Sequence, residues 1–341
     1  MDTRRPSMRD VARESGLSLQ TVSRVANGEP NVNEATRDRV LGVMRDIGYR
    51  PNLAARAMRR GSYKSIGIVY QGLHAVGHRR TVETVSENAA LEGYTTTLMP
   101  IAAASGLATS GAFTRLEEMA VDVIVSILTS QIEFETPMVV PPGIQAIMIG
   151  ARMSPSVWSI DFDQSGGAEA AVQHLLDAGH RTVHHLAGPP GSFFAAGRAS
   201  TWAGVLRDAG REVPEPLAGD WSAHSGYLAV RRLLESTAAA DYPTAIFSAN
   251  DQMALGAYRA LVEFGLRVPD DVSVVGFDDI EEALDFSPPL TTVAQDWNLL
   301  GREVIRMAEE AIAGKAPRSV LLPTRLVERE SVARPRDTSA R

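Results

Sequence analysis

The chain has 341 residues, 44% hydrophobic and 22% charged, a globular composition long enough for one small domain and a larger two-lobed one. It contains no cysteine, which excludes disulfides, thiolate metal sites and cysteine nucleophiles, and no apolar run approaches the roughly 20 residues needed to span a bilayer. The net charge of −7 is uneven: residues 1–60 hold 12 Arg against 7 Asp or Glu, and the other 22 basic and 34 acidic residues lie in 61–341. A basic head on an acidic body suits a head that approaches a polyanion; a solvated arginine-rich face is the alternative. Met1-Asp2-Thr3-Arg4-Arg5 is not followed by an apolar segment, so the expected location is cytoplasmic.

Three short helices are expected in the head. Ser7 is placed to cap the first, with Asp10 as the acidic member of a weak capping box. Gly16 falls at a tight turn, and Ser18 caps a second helix over 19–26 in which Val22 and Val25 face the first. Asn27-Gly28 ends it, and Asn33 caps a third helix whose Val40, Met44 and Ile47 recur at helical spacing up to Gly48. The helix–turn–helix spacing of the first two is right for DNA binding. Next, Pro51 disfavours helix at Arg50, and from Asn52 about nine residues rich in helix formers follow. A helix that short is marginal alone in water and should fold only against a partner.

From Ser65 the pattern becomes alternating strands and helices. Strands are expected at 66–70, 95–99, 121–127, 144–149, 183–187, 244–249 and 272–276. Helices are expected near 79–92, 111–120, 165–179, 198–210, 223–238, 251–265 and 297–313. This is the signature of parallel sheets covered on both faces, and its length favours two similar lobes. The segment 332–341 reads as a polar, disordered tail.

The run Arg9-Asp10-Val11-Ala12-Arg13-Glu14-Ser15-Gly16-Leu17-Ser18-Leu19-Gln20-Thr21-Val22-Ser23-Arg24-Val25-Ala26-Asn27 closely resembles the helix-turn-helix of the lactose-repressor family. Tyr49-Arg50-Pro51-Asn52 and the short helix after it resemble that family's hinge. In the body, Leu186-Ala187-Gly188-Pro189, Gly219-Asp220-Trp221, Ala249-Asn250-Asp251, Gly276-Phe277-Asp278-Asp279 and Val293-Ala294-Gln295-Asp296 continue the likeness, which spans roughly 8–331. The resemblance implies an all-α helix-turn-helix domain at 1–50 and a hinge helix and linker at 51–61. It also implies an α/β periplasmic-binding-protein-like core of two doubly wound lobes at 62–331. The lobes are expected at about 62–161 plus 294–320 and about 162–293 plus 321–331, with three crossovers and the ligand between them.

The function implied is a homodimeric transcriptional repressor that binds operator DNA and responds to a small effector, expected to be a carbohydrate. The recognition helix offers Leu19, Gln20 and Arg24 to base edges, with Ser18, Thr21 and Ser23 suited to phosphates. The resemblance adds Asn27, Tyr49, Asn52 and Ala55 as DNA contacts. It also puts Met58 where the family carries an apolar wedge for the minor groove. Packing within the hinge helix is the other reading of Met58.

The implied effector residues are Arg198, Asn250, Asp278 and Gln295, with Trp221 as stacking platform, His74 at the mouth and Asp163 at the lobe junction. Each has a duller reading. Arg198 and Asp278 can be a structural ion pair, Asn250 a helix cap, Trp221 a core residue and His74 a solvated loop residue. Phe193 and Phe194 make the 189–197 loop less polar than in relatives, so the sugar itself does not carry over.

No catalytic residue, cofactor or metal is expected. The acidic cluster of Asp278, Asp279, Glu281, Glu282 and Asp285 reads as a loop, and His180, His184 and His185 have poor metal-ligand geometry. There is no GxSxG elbow and no Walker A loop. A co-repressor such as a purine is the alternative effector, and a sugar-binding protein without a DNA role is a distant third. Residues 331–341 show no leucine heptads, so a dimer is expected and not a tetramer.

Overall fold

The computed structural model describes residues 6–50, 62–73, 75–101, 106–127, 139–150 and 156–336. The expectations placed on 51–61, with Asn52, Ala55 and Met58, and on His74 lie outside the described residues. The chain divides into two compact units, Met1–Lys64 and Ser65–Arg341.

The first unit contains α1 (Met8–Ser15), α2 (Leu19–Ala26) and α3 (Glu34–Asp46). Local chemistry sets their ends. The Asp10 carboxylate accepts from both the backbone N–H and the hydroxyl of Ser7. Gly16 closes α1 at φ +66, a left-handed conformation that glycine adopts without steric cost. Ser18 and Asn33 accept from the backbone N–H groups of Thr21 and Thr36, capping α2 and α3. The three helices close on Val11, Val22, Val25, Val40 and Met44, with Ile47 and Tyr49 packed at the edge.

The second unit opens with β1 (Ser65–Tyr70), α4 (Val76–Leu91), β2 (Thr95–Pro100), α5 (Gly106–Glu118), β3 (Val123–Ile127), β4 (Gln145–Ile149) and β5 (Trp158–Phe162). There follow α6 (Gln164–Asp177), β6 (His184–Ala187), α7 (Phe193–Asp208), β7 (Leu217–Ala218), α8 (Ala223–Ser236), β8 (Ala245–Ser248), α9 (Asp251–Glu263) and β9 (Ser273–Val275). The unit ends with β10 (Thr292–Gln295), α10 (Trp297–Ile312), β11 (Ser319–Leu322) and β12 (Thr324–Val327).

One sheet has the order β11-β5-β4-β3-β1-β2 and a second the order β7-β6-β8-β9. All pairings in both are parallel, while β10 and β12 form an antiparallel ribbon. The chain therefore passes between the sheets three times: after β5, after β10 and between β11 and β12. Each sheet has its own core, one around Ile66, Ile147, Ile160 and Val304, the other around Leu186, Ile246, Val274 and Leu261.

Several expectations are corrected. Strands β5, β7, β10, β11 and β12 are absent from the expectations: they are two to five residues long, Asp161 breaks the apolar pattern of β5, and Pro323 separates β11 from β12. Helix α7 begins at Phe193 and not near 198, where Ser192 accepts from the N–H of Ala195. Of the tail read as disordered, residues 332–336 are packed: the Ala333 carbonyl sits 3.1 Å from His180 Nε2 and accepts from Ser273, and Arg336 pairs with Asp270 and Asp271.

Candidate functional site

In the head, α2 divides cleanly. Val22 and Val25 are buried, while Ser18, Leu19, Gln20 and Arg24 are exposed. Leu19 is 45% exposed, so its apolar side chain is available at the start of the helix. The Ser18 and Thr21 hydroxyls are 2.8 Å apart, and Asn27 donates to the Ser23 hydroxyl. This presents a short polar face to one side of the helix, with Arg24 near Glu29 at 3.7 Å.

In the second unit a cleft of about 560 Å³, including its open mouth, lies at the carboxyl ends of β3, β4 and β5 and just beyond that of β8. That is where open parallel sheets bind ligands. Arg198, Trp221, Asn250, Asp278 and Gln295 all line it. Asp163 does not; it caps α6 by accepting from Gly166 N–H.

Arg198 is the hub. It is buried, lies 3.6 Å over the Phe277 ring and donates through Nε to Gln164, through Nη1 to the Ala249 carbonyl and through Nη2 to Asp278 at 3.5 Å. The ion-pair reading of Arg198 and Asp278 is thus met, but inside the cleft. Asp278 stands at φ +108 and also accepts from Gln295 Nε2 at 2.8 Å. Burial pushes its carboxyl up to about 6, against the attraction of Arg198.

Asn250 serves two purposes: Oδ1 caps α9 by accepting from Met253 N–H, and Nδ2 donates to the Trp221 carbonyl. Trp221 is half-buried at φ +76, and a Cβ at Gly188 would collide with its ring. Asp251, wholly buried beneath the site, accepts from Thr292 Oγ1 and Ile280 N–H and ties α9 to β10. Burial, then the charge of Asp278, raises its carboxyl well above the usual range.

Sequence reasoning missed Asp161, Phe162, Gln164, His78 and Trp297, which complete the wall. Phe194, one of the two phenylalanines singled out, also lines it. Asp161 and Phe162 end β5, a strand the periodicity did not reveal. A charge at the carboxyl end of an apolar strand was the available signal.

A helix-turn-helix head and a two-sheet body of this kind define a DNA-binding regulator with a ligand-binding core. The chain belongs to the lacI family of bacterial regulatory proteins, whose description matches residues 7–52; residues 172–332 match a periplasmic binding protein-like domain. It is 33% identical to the lactose operon repressor of Escherichia coli strain K12 over 338 residues, 97% of this chain and 92% of that one. It is 32% identical to the HTH-type transcriptional repressor PurR of Escherichia coli O1:K1 / APEC, over 96% of this chain and 97% of that one. Among solved structures, the lac repressor dimer bound to operator and the anti-inducer ONPF superposes with TM-score 0.82 at 30% identity, covering 97% and 100% of the two chains. A complex of the transcriptional regulator CelR with cellobiose superposes with TM-score 0.70 at 30% identity, covering 96% and 100%. The chain is a DNA-binding repressor with a ligand-binding core, and no helix among the described residues is long and apolar enough to cross a membrane.

Proposed function

We propose that this repressor acts in the cytoplasm as a homodimer, by binding and not by catalysis, and that a carbohydrate in the cleft acts as inducer. The observation that carries the effector class is the grouping of Arg198, Asn250, Asp278 and Gln295 around the Trp221 face. Planar polar groups match ring hydroxyls, and an indole matches the C–H face of a sugar. Binding of the chain to its own upstream DNA, with and without a panel of sugars, tests this. Release by a sugar supports it. Tighter DNA binding with a purine supports the co-repressor reading, for which the aromatic residues Phe162 and Trp297 offer stacking faces.

On DNA, Leu19, Gln20 and Arg24 read bases in this proposal. Ser18, Thr21, Ser23, Asn27 and Tyr49 hold the backbone, and Asn52, Ala55 and Met58 act from the hinge. Met58→Ala should weaken operator binding and leave nonspecific binding nearly intact. Equal losses on both DNAs, measured by titration at one salt concentration, would remove the wedge role.

The two-fold contact in the body is proposed on α8 and α9, where Leu228, Leu255 and Val262 are exposed, the last by 68%. Leu255→Glu with Val262→Glu should give monomers in sedimentation and lower operator affinity by about a hundredfold or more, because one head is lost from a bivalent contact. A double variant that stays dimeric rules this face out.

A further inference from the structure

The cleft holds a second carboxylate that relatives did not suggest and the reading above does not use. Asp161 stands on β5, on the wall opposite the strand ends that carry Asp278. Its Oδ1 accepts from the adjoining Phe162 N–H at 2.7 Å and lies 3.5 Å from Gln164 Nε2. Among the described residues no donor reaches Oδ2. Asp278 is engaged in the same one-sided way, with Arg198 and Gln295 both at Oδ1.

Gln164 links the two sides. Its Oε1 accepts from Arg198 Nε at 2.9 Å, and its Nε2 lies 3.3 Å from Gln295 Oε1. Gln295 then reaches Asp278. Both amides are engaged within the site, and among the described residues each carboxylate keeps an oxygen without a donor.

The charge count is unbalanced. Among the described residues that line the cavity, Arg198 is the one permanent cation, and it faces two carboxylates. His78 is held below its ordinary value by burial, so at neutral pH it adds no charge. Burial also pushes Asp161 up to about 6, so keeping it ionised at neutral pH costs stability. A side chain kept at such a cost in a ligand cleft is a candidate for binding.

We infer that Asp161 is an effector-binding residue, and that with Asp278 it selects a ligand that presents hydrogen-bond donors to both walls. Neutral polyols and amines fit; carboxylates and phosphate esters are excluded. An anion would place like charge against two acidic groups in a site of low dielectric, where Arg198 is already engaged. The inference deepens the proposed effector reading and rests on the cleft being the effector site.

The test uses the full chain and a deproteinised small-molecule extract of cells that carry the gene, split by ion exchange into unretained, cation-retained and anion-retained fractions. The readout is the rise in melting temperature. The unretained or cation-retained fraction should raise it. Asp161→Asn should fold, melting no lower than the parent without effector. It should need about ten to a hundred times more of the active fraction for the same rise, the loss of one charge-assisted hydrogen bond. Activity confined to the anion-retained fraction, no activity in any fraction, or an unchanged response of Asp161→Asn overturns the inference. Periodate treatment of the active fraction checks the carbohydrate reading separately. Survival of activity removes the sugar and leaves the charge preference standing.

Discussion

Arg198→Ala should yield a chain that is blind to its effector and less stable by about 3–5 kcal/mol at pH 8. The guanidinium donates to three acceptors, in Gln164, Ala249 and Asp278, and covers the Phe277 ring. Alanine leaves those acceptors without their donor in a buried site, together with a cavity over the ring. The size of the deficit depends on pH. Asp278 is already pushed up to about 6 by burial, and without Arg198 it rises further. At pH 5 it is then protonated, and no unpaired charge remains; at pH 8 either the charge stays or its neutralisation is driven against pH. Denaturant unfolding at the two pH values should therefore show the larger deficit at pH 8. Adding Asp278→Asn to Arg198→Ala should recover part of it there and almost none at pH 5. An equal deficit at the two pH values would show that packing over Phe277, and not the charge, is what Arg198 supplies.

The head was legible because its ends are written in local chemistry. Ser7, Gly16, Ser18 and Asn33 each occupy the cap or turn the sequence assigned them. The parallel strands of the body are legible where β-branched and other apolar residues cluster, as in β1, β3 and β8. They were not where tertiary pairing makes the strand. Ser319–Leu322 is a strand because β5 lies beside it in parallel, and Thr324–Val327 because β10 does, antiparallel. Neither pairing partner is near in sequence, so no window of local pattern reports it. The same blindness hid Asp161. Trp221, Asn250, Asp278 and Gln295 lie in motif blocks with fixed neighbours, but Asp161 sits in a strand that only the sheet defines. Asp163, two residues on, was named in its place and proves to be a helix cap.

Between about pH 4 and 6 Asp161 and Asp278 should take stability from the free chain as pH rises, against His78, His180, His184 and His185, which burial holds below their ordinary value and which add stability as pH rises. In the unfolded chain Asp161 and Asp278 ionise near 3.9; in the folded chain burial holds both up to about 6. Across that interval the folded state binds more protons than the unfolded state. Their favourable contribution is complete below about 4 and gone once pH passes about 6. Two pH units correspond to roughly 3 kcal/mol for each group as an upper bound. Asp251, raised by burial and by Asp278, acts in the same direction. Glu303 acts in the opposite one, because its hydrogen bond from Arg306 lowers its carboxyl; its contribution is lost as pH falls below the ordinary glutamate range, so it lies at the acid edge of the window. Unfolding curves of the parent and Asp161→Asn, taken at half-unit steps, should converge toward pH 4 and separate toward pH 7, with the variant more stable. Parallel curves would mean that Asp161 is solvated in the free protein. An effector that donates to both carboxylates needs them ionised, so its affinity should climb over the interval in which Asp161 and Asp278 lose their protons. Proton release on binding at pH 6, measured by calorimetry in two buffers of different ionisation enthalpy, reads that coupling directly, and no release would break the link between the carboxylates and the ligand.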